Sequence, residues 1–309
     1  MNETGKIAVV AGASGLVGRA LGSALVREGW TVRRLVRRTP GAPGEFAWDP
    51  AAGTVDAAAF AGAHAVINLA GENIAAGRWT AARRERILRS RVEATRTLVV
   101  ALQGMAAKPA VLLNASAVGI YGDRGDEVLT ESSGMGVGFL TEVTLAWETH
   151  AEGAARAGVR TVLLRFGMVL SADGGALGKM LPLFRLGLGG PLGRGTQWMS
   201  WVDIDDAVGA MLHALRDERA TGAMNVVAPT PVTNAEFTAA LGRAVRRPAV
   251  LPAPAWALRA VFGAMADEML LASTRVAPRQ LERLGYRFRQ PTIDAALAAV
   301  LSRPATAAG

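Results

Sequence analysis

Three glycines near the N-terminus lie between an apolar run and an amphipathic one. The run KIAVVAG (Lys6–Gly12) predicts a buried strand, and LVGRALGSALVREG predicts a helix that Gly29 ends. Between them, Gly12, Gly15 and Gly18 allow a tight turn and a close approach of the backbone to a pyrophosphate, which the free N–H groups at the helix start would bind. A purely structural turn is the alternative. The strand before the glycines and the helix after them favour a nucleotide-binding loop.

The segments that follow alternate in the same way. Further strands are predicted at Thr31–Arg38, Ala65–Gly71, Ala110–Ser116 and Arg160–Gly167, and helices at about Thr80–Leu102 and Phe139–Ala157. In the first of these helices the apolar residues recur at helical spacing. Strands that alternate with helices predict an α/β fold with a doubly wound parallel sheet of the Rossmann, NAD(P)-binding type.

The second half of the chain has a different texture. Residues of about 171–200 are rich in Gly and large apolar side chains without a clear period, which predicts an insertion that contributes to a substrate lobe. A helix is expected from Asp205 to Arg216, with Asp205 as its cap. We predict a nucleotide-binding domain over residues 1–230, a smaller, mainly helical C-terminal substrate lobe over 231–303, and a frayed tail at 304–309.

Composition excludes several classes of site. The chain has no Cys, which rules out disulfides, thiol nucleophiles and thiolate metal sites. His64, His150 and His213 are scattered, so neither a metal site nor a Ser-His-Asp triad is expected. The net charge of +8 comes from dispersed Arg residues without a nucleic-acid-binding motif, so no nucleic acid partner is expected. Without a signal peptide or a long apolar run, we expect a cytoplasmic protein with no membrane contact.

Two arginines at the end of the second predicted strand bear on which nucleotide the loop takes. Proteins that bind NAD usually carry an acidic residue there for the ribose 2′-hydroxyl, but no Asp or Glu occurs between Glu28 and Glu45. Arg37 and Arg38 occupy the strand end instead, and a guanidinium can bind a 2′-phosphate through charge-assisted hydrogen bonds. This favours NADP over NAD. Solvated arginines at a strand end remain the alternative, since two more precede them in the same strand.

Motifs along nearly the whole chain carry a family resemblance. They include GASGLVG, VINLAGENIA, RILRSRVEATRTLV, SAVGIYG, RFGMVLSADGGALGKML and FGAMADEMLLASTRVAPRQLERLGYRF. Together they resemble an atypical branch of the extended short-chain dehydrogenase/reductases, the NAD-dependent epimerase/dehydratase-like proteins also labelled SulA-like cell-division inhibitors. The GxxGxxG spacing is typical of that superfamily. The C-terminal segment resembles the small domain of unknown function that ends members of this branch.

The resemblance implies a set of cofactor-binding positions. These are the phosphate loop, the 2′-phosphate position, the turn on the adenine side, one residue of the long helix, and the strand ends near the nicotinamide: Gly12, Ser14, Gly15, Leu16, Val17 and Gly18; Arg37 and Arg38; Leu69 and Ala70; Arg91; Ser116, Gly167 and Val169. The implied cofactor is NADP.

The same resemblance makes one absence notable. Members usually carry a catalytic Tyr and, one helical turn later, a Lys, and GFLTEVTLAWE (Gly138–Glu148) has neither. The candidate catalytic residues are therefore Ser116, at the end of the strand that delivers the active-site Ser or Thr, and Tyr121 as a surrogate acid. Packing is the alternative role for Tyr121.

Further polar and aromatic side chains follow the predicted strands. Candidates for the substrate side are Glu72, Asn73, Arg78 and Trp79, then Lys179, and then Gln197, Trp198 and Trp201, with surface or core packing as their alternative. The sequence thus predicts an NADP(H)-binding oxidoreductase- or epimerase-type protein that acts on an unknown small carbonyl or hydroxyl substrate, as a monomer or homodimer. The alternative is a non-catalytic NADP(H) sensor. A sugar-nucleotide epimerase rests on the family label alone.

Overall fold

The computed structural model describes residues 5–302, so the predicted tail at 304–309 lies outside the described residues. The strands are β1 (Ile7–Ala11), β2 (Thr31–Val36), β3 (Glu45–Asp49), β4 (Thr54–Val55), β5 (Ala65–Asn68), β6 (Val111–Ala117), β7 (Val128–Leu129), β8 (Arg160–Phe166), β9 (Met168–Leu170), β10 (Trp198–Met199), β11 (Trp201–Asp203), β12 (Gly222–Val226), β13 (Val232–Thr233) and β14 (Arg275–Val276). The helices are α1 (Leu16–Arg27), α2 (Ala81–Gln103), α3 (Phe139–Arg156), α4 (Gly175–Arg185), α5 (Ile204–Arg216), α6 (Asn234–Val245), α7 (Ala255–Phe262), α8 (Arg279–Arg283) and α9 (Ile293–Ser302). Short 3₁₀ turns cover Ala57–Phe60 and Val118–Tyr121, and a π-helical turn covers Ala266–Leu271.

Eight strands form one sheet in the order β12-β8-β6-β5-β1-β2-β3-β4. All neighbours pair in parallel except β3 and β4. The chain adds strands outward from β1 to β3, then returns to the other side of β1 with β5 and continues outward to β12. The predicted doubly wound sheet is confirmed. The direction in which the chain adds strands to the sheet reverses between β1 and β5. The loops that follow these two strands diverge and leave a crevice at the carboxyl ends of the strands.

Successive residues of the central strands face opposite sides of the sheet. Val10 and Ile67 pack on one side with Leu25 of α1 and with residues of α5, whereas Val9 and Val66 pack on the other side with residues of α2 and α3. The strands are buried on both faces, which explains why they read as continuous apolar runs. Each fully buried Val, Ile or Leu contributes about 1.5–3 kcal/mol through removal of apolar surface from water.

A separate hydrophobic cluster surrounds Trp201. This side chain is fully buried and packs with Phe184 of α4, Phe237 of α6 and Leu297 of α9. The predicted smaller, mainly helical C-terminal region is confirmed, while the domain boundary at residue 230 stays a prediction. No helix within residues 5–302 combines the length and the apolarity needed to cross a membrane.

The start of α5 differs from the prediction. The cap is Asp203, whose Oδ1 accepts hydrogen bonds from the backbone N–H of Asp205 at 2.8 Å and of Asp206 at 3.3 Å. The choice of Asp205 as the cap is therefore wrong, because β11 runs directly into the helix and Asp203 is its last extended residue. Asp206 instead accepts a hydrogen bond from the hydroxyl of Tyr286 at 2.9 Å.

Candidate functional site

Two adjoining cavities lie at the carboxyl edge of the sheet. The large cleft, about 1150 Å³, extends toward β2 and β3 and is lined by residues that include 34–38. The small pocket, about 300 Å³, extends toward β6 and α3 and includes Ser116 in its wall. Gly12, Gly15 and Leu69 line both cavities, so the two form one groove across the crevice between β1 and β5.

The glycine loop after β1 is shaped by close backbone contacts. Gly12 has a φ of 80°, and a Cβ there would lie 2.6 Å from the carbonyl carbon of Leu69. A Cβ on Gly18 would lie 2.2 Å from the carbonyl oxygen of Gly12. Any larger residue at either position would push the loop away from its neighbours. These glycines therefore bring the loop, the turn after β5 and the start of α1 into one compact edge.

The start of α1 has the features of an anion site. Gly15 is its N-cap and supplies no side-chain cap, and no acidic residue occupies the first turn. The first N–H groups of a helix have no partner within the helix, and here Leu16, Val17 and Gly18 line the small pocket. With the positive end of the helix dipole at the same place, this terminus suits a phosphate group.

A buried amide cluster holds the turn after β5. Asn68 donates hydrogen bonds to Thr95 Oγ1 at 2.9 Å and to Asn114 Oδ1 at 2.7 Å, and its own Oδ1 accepts from the backbone N–H of Ala70 at 3.2 Å. Three elements, β5, α2 and β6, are tied together in this way. Leu69 and Ala70, predicted to line the cofactor site, are thereby held against the glycine loop, and both line the large cleft.

The two arginines after β2 have different surroundings. The strand ends at Val36, one residue before Arg37. Arg38 donates to Glu45 Oε1 at 2.7 Å, and hydrogen bonds from the Gly41 N–H and from Arg38 hold the pKa of Glu45 below its usual value. Arg37 lines the same cleft, is exposed, and makes no hydrogen bond or ion pair with another of the described residues. Its guanidinium is therefore available to a ligand.

The small pocket is mainly apolar, and both of its hydroxyl groups already donate to the protein. Its walls include Ile74, Leu140, Val143, Phe166 and Val169. Thr144 Oγ1 donates to the carbonyl of Leu140 at 2.7 Å, and Ser116 Oγ donates to Glu148 Oε1 at 2.5 Å. As placed, each hydroxyl can only accept a hydrogen bond from a ligand.

Glu148 is a residue of this site that the sequence analysis did not select. It is buried and accepts from Arg165 Nε and Nη2, each at 2.8 Å, in addition to Ser116. Burial lowers the pKa of Arg165, but the hydrogen bonds and charge of Glu148 outweigh it and raise that pKa above its ordinary value. The sequence signal that could have identified Glu148 is its spacing. It follows Thr144 by four residues and Leu140 by eight, so the three lie on one face of α3.

Arg91 of α2 lines the small pocket. Its Nη1 donates to the carbonyls of Glu72 at 3.1 Å and Ile87 at 3.0 Å, and its guanidinium carbon lies 5.1 Å from the ring centre of Trp147. Burial lowers the pKa of Arg91 to about 10, with the charge of Glu72 acting against that shift. The side chain is therefore still a cation at neutral pH. This places the predicted cofactor residue in the groove wall.

The comparison with family models now assigns the chain. Residues 8–227 match the NAD dependent epimerase/dehydratase family, which accounts for the glycine loop, the switch in strand order and the strand ends around the groove. The chain belongs to this family. Residues 253–300 match a second model, a domain of unknown function (DUF1731).

Relatives within this family align along nearly the whole chain. The epimerase family protein Mb2239 of Mycobacterium bovis is 45% identical over 298 residues, covering 96% of this chain and 98% of the relative. The crystal structure of human epimerase family protein SDR39U1 (isoform 2) with NADPH has a TM-score of 0.88 at 35% identity, covering 95% of this chain and 98% of that one. A nucleoside-diphosphate sugar epimerase from Corynebacterium glutamicum has a TM-score of 0.80 at 37% identity; the match covers 96% of this chain but 58% of that chain.

Within this family member, the structure places Tyr121 away from the groove. The side chain is fully buried; its hydroxyl donates to Asn225 Oδ1 at 2.8 Å and accepts from Arg165 Nη1 at 2.9 Å. Burial raises the pKa of Tyr121 despite the opposing effect of Arg165. Tyr121 lines neither cavity, which supports the packing role. We do not keep it among the proposed catalytic residues.

The loop after β5 carries other predicted candidates, and hydrogen bonds within the loop and from α2 and α4 hold it in place. Trp79 is buried and donates from Nε1 to the carbonyl of Ile74 at 2.9 Å. Arg83 donates to the carbonyl of Asn73 at 2.6 Å, and Lys179 of α4 donates to the carbonyl of Ala75 at 2.7 Å. These bonds hold the loop over the small pocket, to which it contributes Ile74.

The substrate-side candidates Lys179, Gln197, Trp198 and Trp201 lie outside the two cavities. Gln197 donates to the carbonyls of Leu192 and Leu270, and Trp198 donates to Asp126 Oδ1 at 2.7 Å. A Cβ on Gly167 would lie 2.5 Å from the carbonyl oxygen of Ser200, so this glycine permits a close backbone contact. Its cofactor assignment stays a prediction. Within residues 5–302, no three His, Cys, Asp or Glu side chains are grouped to hold a metal ion.

Proposed function

We propose that this protein binds NADP(H) along the groove. The 2′-phosphate would contact Arg37, the pyrophosphate would lie at the start of α1, and the nicotinamide would enter the small pocket. One observation carries this proposal. Arg37, which pairs with none of the described residues, lines the same cleft as the glycine loop, and the helix that follows this loop has no side-chain cap. The NADPH present in the human SDR39U1 structure supports it.

For the chemistry, we propose hydride exchange with a small carbonyl or hydroxyl compound. A bound nicotinamide supplies the hydride carrier, and the chain's own residues shape the pocket around it. Leu140, Val143 and Phe166 give the pocket an apolar wall, and Ser116 offers lone pairs to a hydroxyl substrate or an amide. Because Ser116 and Thr144 both donate elsewhere, the proton would be exchanged with water.

A non-catalytic NADP(H) sensor is the second candidate. It is favoured by the same pair of engaged hydroxyls, since the pocket then offers no free hydroxyl proton to a substrate. The Leu140 and Thr144 side chains stand on the face of α3 that lines the pocket, where an acid would have to act. In such a protein the groove would still bind the nucleotide.

Two measurements test these proposals in order. Calorimetric titration with NADPH and NADH tests the cofactor, and we expect NADPH to bind at least tenfold more tightly, which corresponds to about 1.4 kcal/mol. Equal affinities, or no binding, would contradict the proposal. Deuteride transfer from C4-labelled NADPH to a panel of aldehydes and ketones then separates enzyme from sensor. Label in a product supports the enzyme, and tight binding without transfer supports the sensor.

A further inference from the structure

The wall of the small pocket contains a hydrogen-bond donor that the protein leaves unused. Trp147 of α3 is buried, and its Nε1 has no hydrogen-bond partner among the described residues. Trp147 lines the small pocket together with Leu140, Val143 and Thr144 of the same helix. A buried N–H without a partner is costly, and tryptophans in a protein interior usually satisfy theirs. The buried Trp201 and Trp79 follow that rule by donating to the carbonyls of Thr230 and Ile74.

A cation stands beside this donor. The guanidinium of Arg91 lies over the Trp147 ring at 5.1 Å, and both residues line the small pocket. Within the part of the chain that the structure describes, only Nη1 of Arg91 donates to protein carbonyls. Its remaining N–H groups are free for another acceptor. A Cβ on residue 71, where the chain has Gly71, would lie 3.2 Å from the guanidinium carbon of Arg91, so a larger residue there would press on this side chain.

We propose that Arg91 and Trp147 together form a two-donor site for the ribose oxygens of the nicotinamide half of NADP(H). This deepens the proposed function and rests on it. The pyrophosphate is assigned to the start of α1, and the next unit toward the small pocket is this ribose. Ribose hydroxyls have lone pairs that accept from an indole N–H and a guanidinium at once.

The location of the pair explains how the groove can hold this half of the nucleotide without a lysine on α3. Arg91 belongs to α2 and Trp147 to α3, and both line the small pocket together with Ser116. The apolar residues of α3 then face the ring, and the two donors face the sugar. Arg91 and Trp147 are positioning residues, since they are assigned to the sugar and not to the reacting atoms.

Binding to NADPH is compared with binding to adenosine 2′,5′-bisphosphate, which lacks the nicotinamide half. Trp147→Phe keeps an aromatic side chain but removes the N–H together with the pyrrole part of the indole, and Arg91→Lys keeps the charge. We expect NADPH to bind about fivefold more weakly to Trp147→Phe and about tenfold more weakly to Arg91→Lys, with the bisphosphate affinity unchanged. Exposed residues give matched controls, Trp256→Phe and Arg96→Lys, for which both affinities should remain at the wild-type value.

The stability of the nucleotide-free protein supplies a second readout. Because Trp147→Phe also removes part of a buried ring, this readout uses 3-benzothienylalanine in place of Trp147, which keeps the bicyclic ring and lacks only the N–H. Loss of the unpaired donor alone should leave the melting temperature equal to or above that of the wild type. Equal losses for both nucleotides, unchanged NADPH affinity, or a lower melting temperature for the benzothienylalanine variant would each overturn the inference. If the wild type binds neither nucleotide, the proposed function itself fails. Binding of both by the wild type, with no selective loss in the variants, overturns this inference alone.

Discussion

Glu148 and Arg165 form a bidentate ion pair, with both N···O distances at 2.8 Å, inside the interface between α3 and the sheet. The pair is buried, and Ser116 donates to the same carboxylate. Arg165 continues the network to the hydroxyl of Tyr121, which donates in turn to Asn225. The two residues chosen from the sequence as catalytic, Ser116 and Tyr121, are thus bound to one structural network. This relationship argues that their hydroxyls hold α3 in register with β6 and β8.

The ion pair predicts a large cost for breaking it from one side. Glu148→Gln leaves the buried Arg165 charge uncompensated, so we expect the free energy of unfolding to fall by about 3–5 kcal/mol. The double variant Glu148→Leu with Arg165→Met removes both charges and should be less destabilised than that. Urea denaturation measures both. A Glu148→Gln protein of wild-type stability that no longer binds NADPH would instead make Glu148 a ligand contact.

Arg37 and Arg38 should differ in their effect on nucleotide preference. Arg37→Gln removes the unpaired guanidinium, and we expect NADPH affinity to fall about tenfold to a hundredfold while NADH affinity stays unchanged. Arg38 already pairs with Glu45, so Arg38→Gln serves as the control and should change the ratio of affinities much less. Titration with both nucleotides checks this. A larger effect at Arg38 would reassign the 2′-phosphate to that residue.

Gly18 and Gly22 of α1 form a matched pair for the glycine loop. In Gly18→Ala the new Cβ would meet the carbonyl oxygen of Gly12, and overpacking of this kind costs about 1–3 kcal/mol and moves the loop. We therefore expect lower stability and weaker NADPH binding. A Cβ on Gly22 would meet none of the described residues within 4 Å beyond its own stretch of helix, so Gly22→Ala should raise helix stability by about 0.5–1 kcal/mol. Melting curves and titration measure both, and indifference of NADPH binding to Gly18→Ala would remove the loop from the site.

Tyr121→Phe tests the packing role. The change removes a hydrogen bond to Asn225 and leaves Arg165 and Asn225 each short of a partner, so stability should fall by about 1–3 kcal/mol. NADPH affinity should stay at the wild-type value because Tyr121 lines neither cavity. Urea denaturation with parallel titration gives both numbers. Unchanged stability together with loss of hydride transfer would return Tyr121 to the catalytic residues.

The features predicted correctly are those that depend on short stretches of chain. The run Lys6–Gly12 with the glycines after it carries its own signal, since a strand, a turn and a helix follow one another within about twenty residues. The sheet topology follows from repeating that unit under the right-handed crossover rule. Arg37 could be proposed for the 2′-phosphate because the absence of an acidic residue at the end of β2 is visible in the sequence alone, and that role stays a prediction.

The features missed or misassigned depend on residues far apart in the chain. Glu148, Arg165 and Tyr121 come from α3, β8 and the turn after β6, and no spacing rule links them. The unpaired N–H of Trp147 is visible only when every neighbour is placed. Trp201 could have lined a cleft or a core, and the packing of α4, α6 and α9 around it made it core.

The order of residues along the chain was sufficient to assign the sheet and the glycine loop, and to propose Arg37 as the residue that distinguishes the two nucleotides, because each depends on local backbone propensity or on a nearby charge. The directions of the side chains in the small pocket were not accessible in that way. Whether Ser116 offers a proton or a lone pair depends on Glu148, which lies 32 residues away and comes within 2.5 Å only after α3 packs on the sheet. Hydrogen bonds in a buried site are set by the partners that folding brings together, and burial makes each partner count.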